Sequence, residues 1–242
     1  MFLICHVIYS KKMSLTKEYV EQQLTSFSVV GKLFSVDLNG HDEYGIIKYV
    51  HISNDNKEDK TLVVIPGYSL ESFQTMFEII LANIDTVNYS NIYIFCWSSE
   101  IKEKSKAIIK GISSQEEQYV INERFREDLS AILQKIIKSM DLGTISLLGK
   151  SAGGGVAIYI TMLNTDVNNL FLACPGILHH GKPLENRIDI NIKLSWNRDD
   201  DKIPYTSAQD FINDFEAQEQ EYAFYSYMTG GHELNPQFLK EL

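Results

Sequence analysis

Residues Thr144–Thr161, TISLLGKSAGGGVAIYIT, place the tightest constraint on how the chain can fold. Ile145, Leu147 and Leu148 read as a short buried strand that stops at Gly149. A run of small residues then turns directly into an apolar helix, Val156–Leu163. Inside the turn lies Gly149-Lys150-Ser151-Ala152-Gly153, a G-x-S-x-G spacing. A serine held between strand and helix in this way sits on a tight, strained turn that lifts its hydroxyl clear of the sheet. The flanking glycines remove Cβ atoms that would collide where helix and strand approach closely. The helix N-terminus behind Ser151 offers unpaired backbone N–H groups to developing negative charge. Gly149-Lys150-Ser151 also resembles the end of a phosphate-binding loop, but that motif needs a glycine at position 144, which is threonine.

Around this stretch the chain alternates. Ser14 is a plausible N-cap for a short helix carrying Leu15, Tyr19, Val20 and Leu24. Lys32–Leu38 and Tyr44–Ile52 are β-rich and joined through Asn39-Gly40, a hairpin signal. The polar run Ser53–Lys60 is a solvated loop without the glycine and final glutamate of a calcium-binding loop. Thr61–Ile65 reads as a fully buried strand broken by Pro66-Gly67, Ser72–Ile84 as a helix, and Asn91–Trp97 as another buried strand. Ser98–Gln118 is lysine-rich and weakly patterned, and reads as an excursion from the fold. Tyr119–Met140 carries an apolar stripe through Phe125, Leu129, Leu133 and Ile136, that of a long helix packed on a sheet. After the serine turn come strands Asn168–Cys174 and Ile190–Trp196, helix Ser207–Gln218, strand Glu221–Tyr227 and a last helix capped by Asn235, with Pro236 at its first position. Alternation from residue 61 onward predicts a mostly parallel sheet of eight strands with helices on both faces and an antiparallel hairpin at its start. No Pro/Gly/Ser-rich linker divides the chain, so residues 14–242 are expected to form a single domain behind an apolar segment, 1–13.

Bulk properties exclude several functions. A formal net charge of −10 leaves no phosphate-neutralising surface, so neither a nucleic-acid binder nor a protein of anionic membranes is expected. Three cysteines, Cys5, Cys96 and Cys174, leave one over in any disulfide scheme, and two of them fall in apolar strands. Buried thiols in a reducing compartment fit better, which points to the cytoplasm. No Cys/His spacing typical of a zinc site occurs, and no metal is expected. The start, Met1–Tyr9, lacks a basic region and a small-residue cleavage site, so it is a poor signal peptide and too short to span a membrane.

The turn at Ser151 resembles the nucleophile elbow of the α/β-hydrolase family, and two later loops extend the resemblance. In that family an acid and then a histidine follow the serine, each on a loop after a strand. After strand Ile190–Trp196 comes Asn197-Arg198-Asp199-Asp200-Asp201-Lys202-Ile203-Pro204, which resembles the family's acid loop, with an aspartate four residues before a proline. Asp200 fits that count, while Asp199 and Asp201 are near enough to replace it. After the last strand Thr229-Gly230-Gly231-His232 resembles the turn that carries the base. The resemblance implies Ser151 as nucleophile, His232 as base then acid, and Asp200 as the group that orients the imidazole. It also implies an oxyanion hole made by the backbone N–H groups of Ala152 and Tyr68, the latter on Pro66-Gly67-Tyr68-Ser69. The family's histidine in that loop is replaced here by Pro66.

Loop position makes Tyr68, Phe73, Trp97, Ile203 and Tyr205 candidate apolar walls of a substrate pocket. His179-His180 follow strand Asn168–Cys174 and read as surface loop residues, as Lys150 reads as a bystander or a source of positive potential. About fifteen residues separate Cys174 from Ile190, too few for a large cap. The activity the resemblance implies is hydrolysis of a carboxylic ester or thioester in a small or lipid-like acyl substrate, without a cofactor. The alternatives are a peptidase, a carbon–carbon bond hydrolase, and a binding module that keeps the fold without catalysis.

Overall fold

The computed structural model describes residues 15–36, 47–54, 57–97, 114–176 and 189–242, with residues 103, 106, 107, 110, 112, 184 and 187. Segment 1–13, the Asn39-Gly40 turn and the His179-His180 pair lie outside the described residues. The described strands are β1 (Val30–Val36), β2 (Ile47–Ser53), β3 (Thr61–Ile65), β4 (Asn91–Cys96), β5 (Ile145–Lys150), β6 (Val167–Ala173), β7 (Asn191–Asn197) and β8 (Tyr222–Tyr227). They form one sheet in the order β1-β2-β4-β3-β5-β6-β7-β8. β2 runs against both its neighbours, and every other adjoining pair is parallel. The hairpin register runs from Val30 opposite Ser53 to Val36 opposite Ile47.

Burial explains why the middle of the sheet reads as continuous apolar runs. TLVVI of β3 and ISLLGK of β5 are buried at every position, as parallel strands covered on both faces must be. Alternate side chains of these strands feed two cores. On one face Val63, Ile65 and Leu147 pack with Leu129 and Leu133 of α3 (Gln115–Ser139), Val156 and Ile160 of α4 (Ala152–Leu163), and Phe215 of α5 (Ser207–Ala217). On the other, Leu62, Val64 and Leu148 pack with Val20 and Leu24 of α1 (Lys17–Ser26), Phe73 and Phe77 of α2 (Leu70–Ala82), and Phe238. Among the described residues no helix is long and apolar enough to cross a membrane.

Element ends differ from the sequence expectation where side chains cap them. Thr16, two residues after the expected cap, accepts from the Tyr19 amide and starts α1. Ser69 accepts from the Ser72 amide and starts α2 two residues early. Ser114 does the same for α3, which draws the end of the expected excursion into the helix. The largest shift is in α4, which begins at Ala152 instead of Val156, so Gly153–Gly155 are helical. The last helix is a 3-10 segment, Pro236–Glu241, whose cap is Asn235 as expected.

Candidate active site

The chain reverses its direction across the sheet after β3: β4 pairs on one side of it and β5 on the other. Loops leaving the C-terminal ends of β3 and β5 therefore flank a crevice, where open α/β sheets bind ligands. Ser151 stands there between β5 and α4 with φ 55° and ψ −128°, a backbone region costing a non-glycine residue about 1–3 kcal/mol. Its amide donates to Ala173 O at 3.1 Å, tying the turn to β6. A Cβ on Gly153 would overlap the carbonyls of Ile65 and Pro66, so only glycine lets α4 start this close to the end of β3.

The loop after β3 is fixed from both sides. Gly67 N donates to Ser72 Oγ at 3.0 Å, and Trp97 Nε1 donates to Pro66 O at 2.9 Å. The Tyr68 ring meets Trp97 and Phe125 edge-on. Burial pushes the Tyr68 phenol up to about 12 against the opposing pull of the Arg126 charge.

Asp200 and His232 come to Ser151 from the loops after β7 and β8. The Asp200 carboxylate is closed off from solvent. Its Oδ1 accepts the amides of Lys202 and Ile203, both at 2.9 Å. Its Oδ2 accepts from His232 Nδ1 at 2.8 Å. A carboxylate only accepts, so the ring proton belongs on Nδ1 and Nε2 is left as the acceptor. Nε2 faces Ser151 Oγ at 2.9 Å. The arrangement is a continuous path for one proton from a hydroxyl to an imidazole whose other nitrogen is held by an anion.

Several supporting groups were not legible from spacing. Asp199, near enough in sequence to replace Asp200, instead accepts the amides of Gly230 (3.2 Å) and Gly231 (2.8 Å) and so holds the turn before His232. Asn197 Nδ2 donates to Gly231 O at 2.9 Å and Glu233 O at 2.8 Å, and Asn235 donates to Asn197 Oδ1 at 3.1 Å. Lys150 is neither exposed nor idle: its ammonium pairs with Glu233 at 2.6 Å. These partners lie tens of residues apart, and only the folded loops bring them together.

Cys174 follows β6 directly, and its Sγ lies within 4.8 Å of ligand atoms of Asp200 and His232. Burial first, and then the Asp200 charge, push its thiol well above the ordinary range, which keeps the proton on sulfur. Asp200 and His232 already satisfy each other. The donor set thus suits a proton path better than a metal, which would need a thiolate and a free ring nitrogen.

An open cavity of about 450 Å³ lies beside Ser151, lined by Gly67, Tyr68, Ala152 and His232 among others. Of the expected apolar walls only Tyr68 borders it. Phe73 points into the opposite core, stacked on Phe77, because α2 turns that face inward. Trp97 is buried behind Tyr68. Ile203 packs against the first core and its carbonyl accepts from Trp196 Nε1, while Tyr205 packs on Phe224 beneath Arg198. Glu71, Asp201 and Lys202 complete a charged rim.

Neither a protein-family model nor a curated protein sequence matches the chain. Solved structures do. The chain is similar to carboxylesterase CesB from Bacillus subtilis, with a TM-score of 0.59 and 11% identity over 93% of this chain and 94% of that one. It is similar to an alpha-beta serine hydrolase homologue from Coxiella burnetii, with a TM-score of 0.59 and 13% identity over 87% and 96%. A predicted CIB-like hydrolase from Thermoplasma acidophilum gives a TM-score of 0.55 and 15% identity over 88% and 92%. With the strand order, the lone reversed strand and the serine turn after β5, this likeness makes the fold that of the α/β hydrolases.

Proposed function

We propose that the protein is a serine hydrolase acting on a carboxylic ester or thioester. One observation carries the reading: Ser151 Oγ, His232 and Asp200 form an unbroken hydrogen-bond chain, with steps of 2.9 and 2.8 Å, at the edge of the crevice. The Ser151 hydroxyl attacks the substrate carbonyl as His232 Nε2 takes its proton. Asp200 keeps the imidazole in the tautomer that can accept, and stabilises the imidazolium that forms. The oxyanion is met by the N–H groups of Ala152, at the start of α4, and Tyr68, whose loop lines the same cavity as Ser151. His232 then protonates the departing alcohol or thiol, leaving the acyl group on Ser151. Water, activated by the same imidazole, releases the acid and restores the serine. The charged rim of Glu71, Asp201 and Lys202 favours a water-soluble acyl substrate over a lipid. The hydrolase and esterase names of the structural neighbours agree with this chemistry.

Labelling with a fluorophosphonate probe tests the reading. The wild type is expected to label, and Ser151→Ala to lose the label completely. A wild type that stays unlabelled would reject it in favour of a binding module, and label that survives Ser151→Ala would reject Ser151 as the nucleophile. Chromogenic esters and thioesters assayed beside peptides then separate esterase from peptidase.

A further inference from the structure

Lys150 is the last residue of β5 and the backbone neighbour of Ser151, and Glu233 is the backbone neighbour of His232. Their side chains meet at 2.6 Å across 83 residues of sequence. The pair is lopsided: the Lys150 side chain is 2% exposed and that of Glu233 is 43% exposed. A lysine this deep has no water to turn to, so leaving its carboxylate partner would strand a buried charge. The bond is therefore stiff at the Lys150 end, where β5 is buried at every position in the centre of the sheet. Glu233 is pinned from a second side, through its carbonyl, by Asn197. His232 itself sits on a loop after β8, the edge strand of the sheet, where Asp199 and Asn197 hold the backbone of the turn.

We infer that the Lys150–Glu233 ion pair is a clamp that sets the distance between the Ser151 hydroxyl and the His232 imidazole, making both residues positioning residues for the proton transfer. The inference rests on the proposed serine hydrolase reading and adds to it the residues that fix its geometry. Lys150 touches neither the proton path nor the reacting carbonyl in this role. It acts by joining the central strand that carries the nucleophile to the edge loop that carries the base. Proton transfer falls off steeply with misplacement, and a shift of about 1 Å costs about a hundredfold. Asp199 and Asn197 hold the same loop independently, so removing the clamp loosens His232 without releasing it.

The experiment is a double-mutant cycle on fluorophosphonate labelling with Lys150→Met, Glu233→Ala and the combined variant. Two quantities are read in each: the first-order labelling rate at saturating probe, and the probe concentration giving half that rate. Thermal midpoints accompany them. Each single variant is expected to lose about tenfold or more in the saturating rate with the half-saturating concentration unchanged. The combined variant is expected to fall no further than the worse single one, because both remove the same link. Lys150→Met removes the buried charge altogether, so its midpoint stays near that of the wild type and the rate loss cannot be ascribed to unfolding. Glu233→Ala strands the buried Lys150 ammonium and is the variant at risk of unfolding. Should it fail to fold, Lys150→Met and the combined variant, which leave no buried charge unpaired, decide by their saturating rates. A saturating rate at the wild-type level in either folded single variant overturns the clamp, as do losses that multiply in the combined variant. A wild type that does not label overturns the clamp together with the serine hydrolase reading. A wild type that labels alongside unaffected clamp variants overturns the clamp alone.

Discussion

Asp199 and Asp200 are adjacent in sequence but face different environments, and the difference fixes what each substitution should do. Asp200 is closed off from solvent with three hydrogen bonds to its two oxygens, one from the imidazole. Asp199 is exposed and holds only backbone amides of the histidine turn. Asp201 is exposed beside Lys202 at 3.2 Å, a pairing worth little in water. Asp200→Asn replaces an acceptor at Nδ1 by an amide that can turn its NH₂ toward the ring, which inverts the useful tautomer. Fluorophosphonate labelling of Asp200→Asn should then fall by about four orders of magnitude. Asp199→Ala removes exposed bonds only and should slow labelling by about tenfold. Comparable losses in the two variants would contradict this division of labour. The family's loop spacing singles out Asp200, but it cannot assign Asp199, because a bond to the amide of residue 231 exists only once both loops are folded.

At the scale of elements, α4 shows what a sequence conveys and what it withholds. Its apolar residues mark a buried helix, and Val156, Ala157, Ile158 and Ile160 are all buried. Its N-terminal turn looked like a loop because three glycines are poor helix formers. The structure makes them helical because the end of β3 presses on Gly153, and Pro175 on Gly154, where larger residues do not fit. The C-terminus carries a second hidden feature. Arg187 is 6% exposed and donates to the carbonyls of Thr161 and Asn164 at 2.7 and 2.6 Å, and to Val167 O at 2.6 Å. The last carbonyls of a helix have no partner within it, and here one guanidinium supplies them from a residue beyond β6. Its own charge is met by Asp189 at 3.0 Å. Arg187→Met should therefore lower unfolding free energy by about 3 kcal/mol through buried carbonyls left unpaired, measured by urea denaturation. A loss within about 0.5 kcal/mol of zero would mean that water reaches those carbonyls. No periodicity marks an arginine that serves as a remote cap, so this element end was not legible.

Over the whole molecule, the alternation of strand and helix was legible because each parallel strand must be apolar on both faces, which leaves runs such as TLVVI beyond mistake. The walls of the cavity were not, because loop position does not say which way a side chain turns: Phe73 and Trp97 went to cores on opposite faces. Burying so much of the sheet also has a consequence in alkali. Burial pushes the Cys96 thiol at the end of β4 from an ordinary 9.0 up to about 12, with Lys48 pulling weakly the other way. The Tyr68 phenol is likewise raised to about 12. Between the unfolded and folded values the native state keeps protons that the unfolded chain has given up. Stability contributed by these groups is therefore complete below the unfolded value and is lost as pH rises toward the folded one, by at most about 1.4 kcal/mol per pH unit for each group. Urea midpoints should hold steady up to about pH 8 and decline from there to about pH 11. Cys96→Ala removes one of the raised groups, so its decline over that interval should be shallower than that of the wild type, whatever the substitution costs at neutral pH. Parallel declines in the two proteins would place the Cys96 thiol in contact with water in the native state.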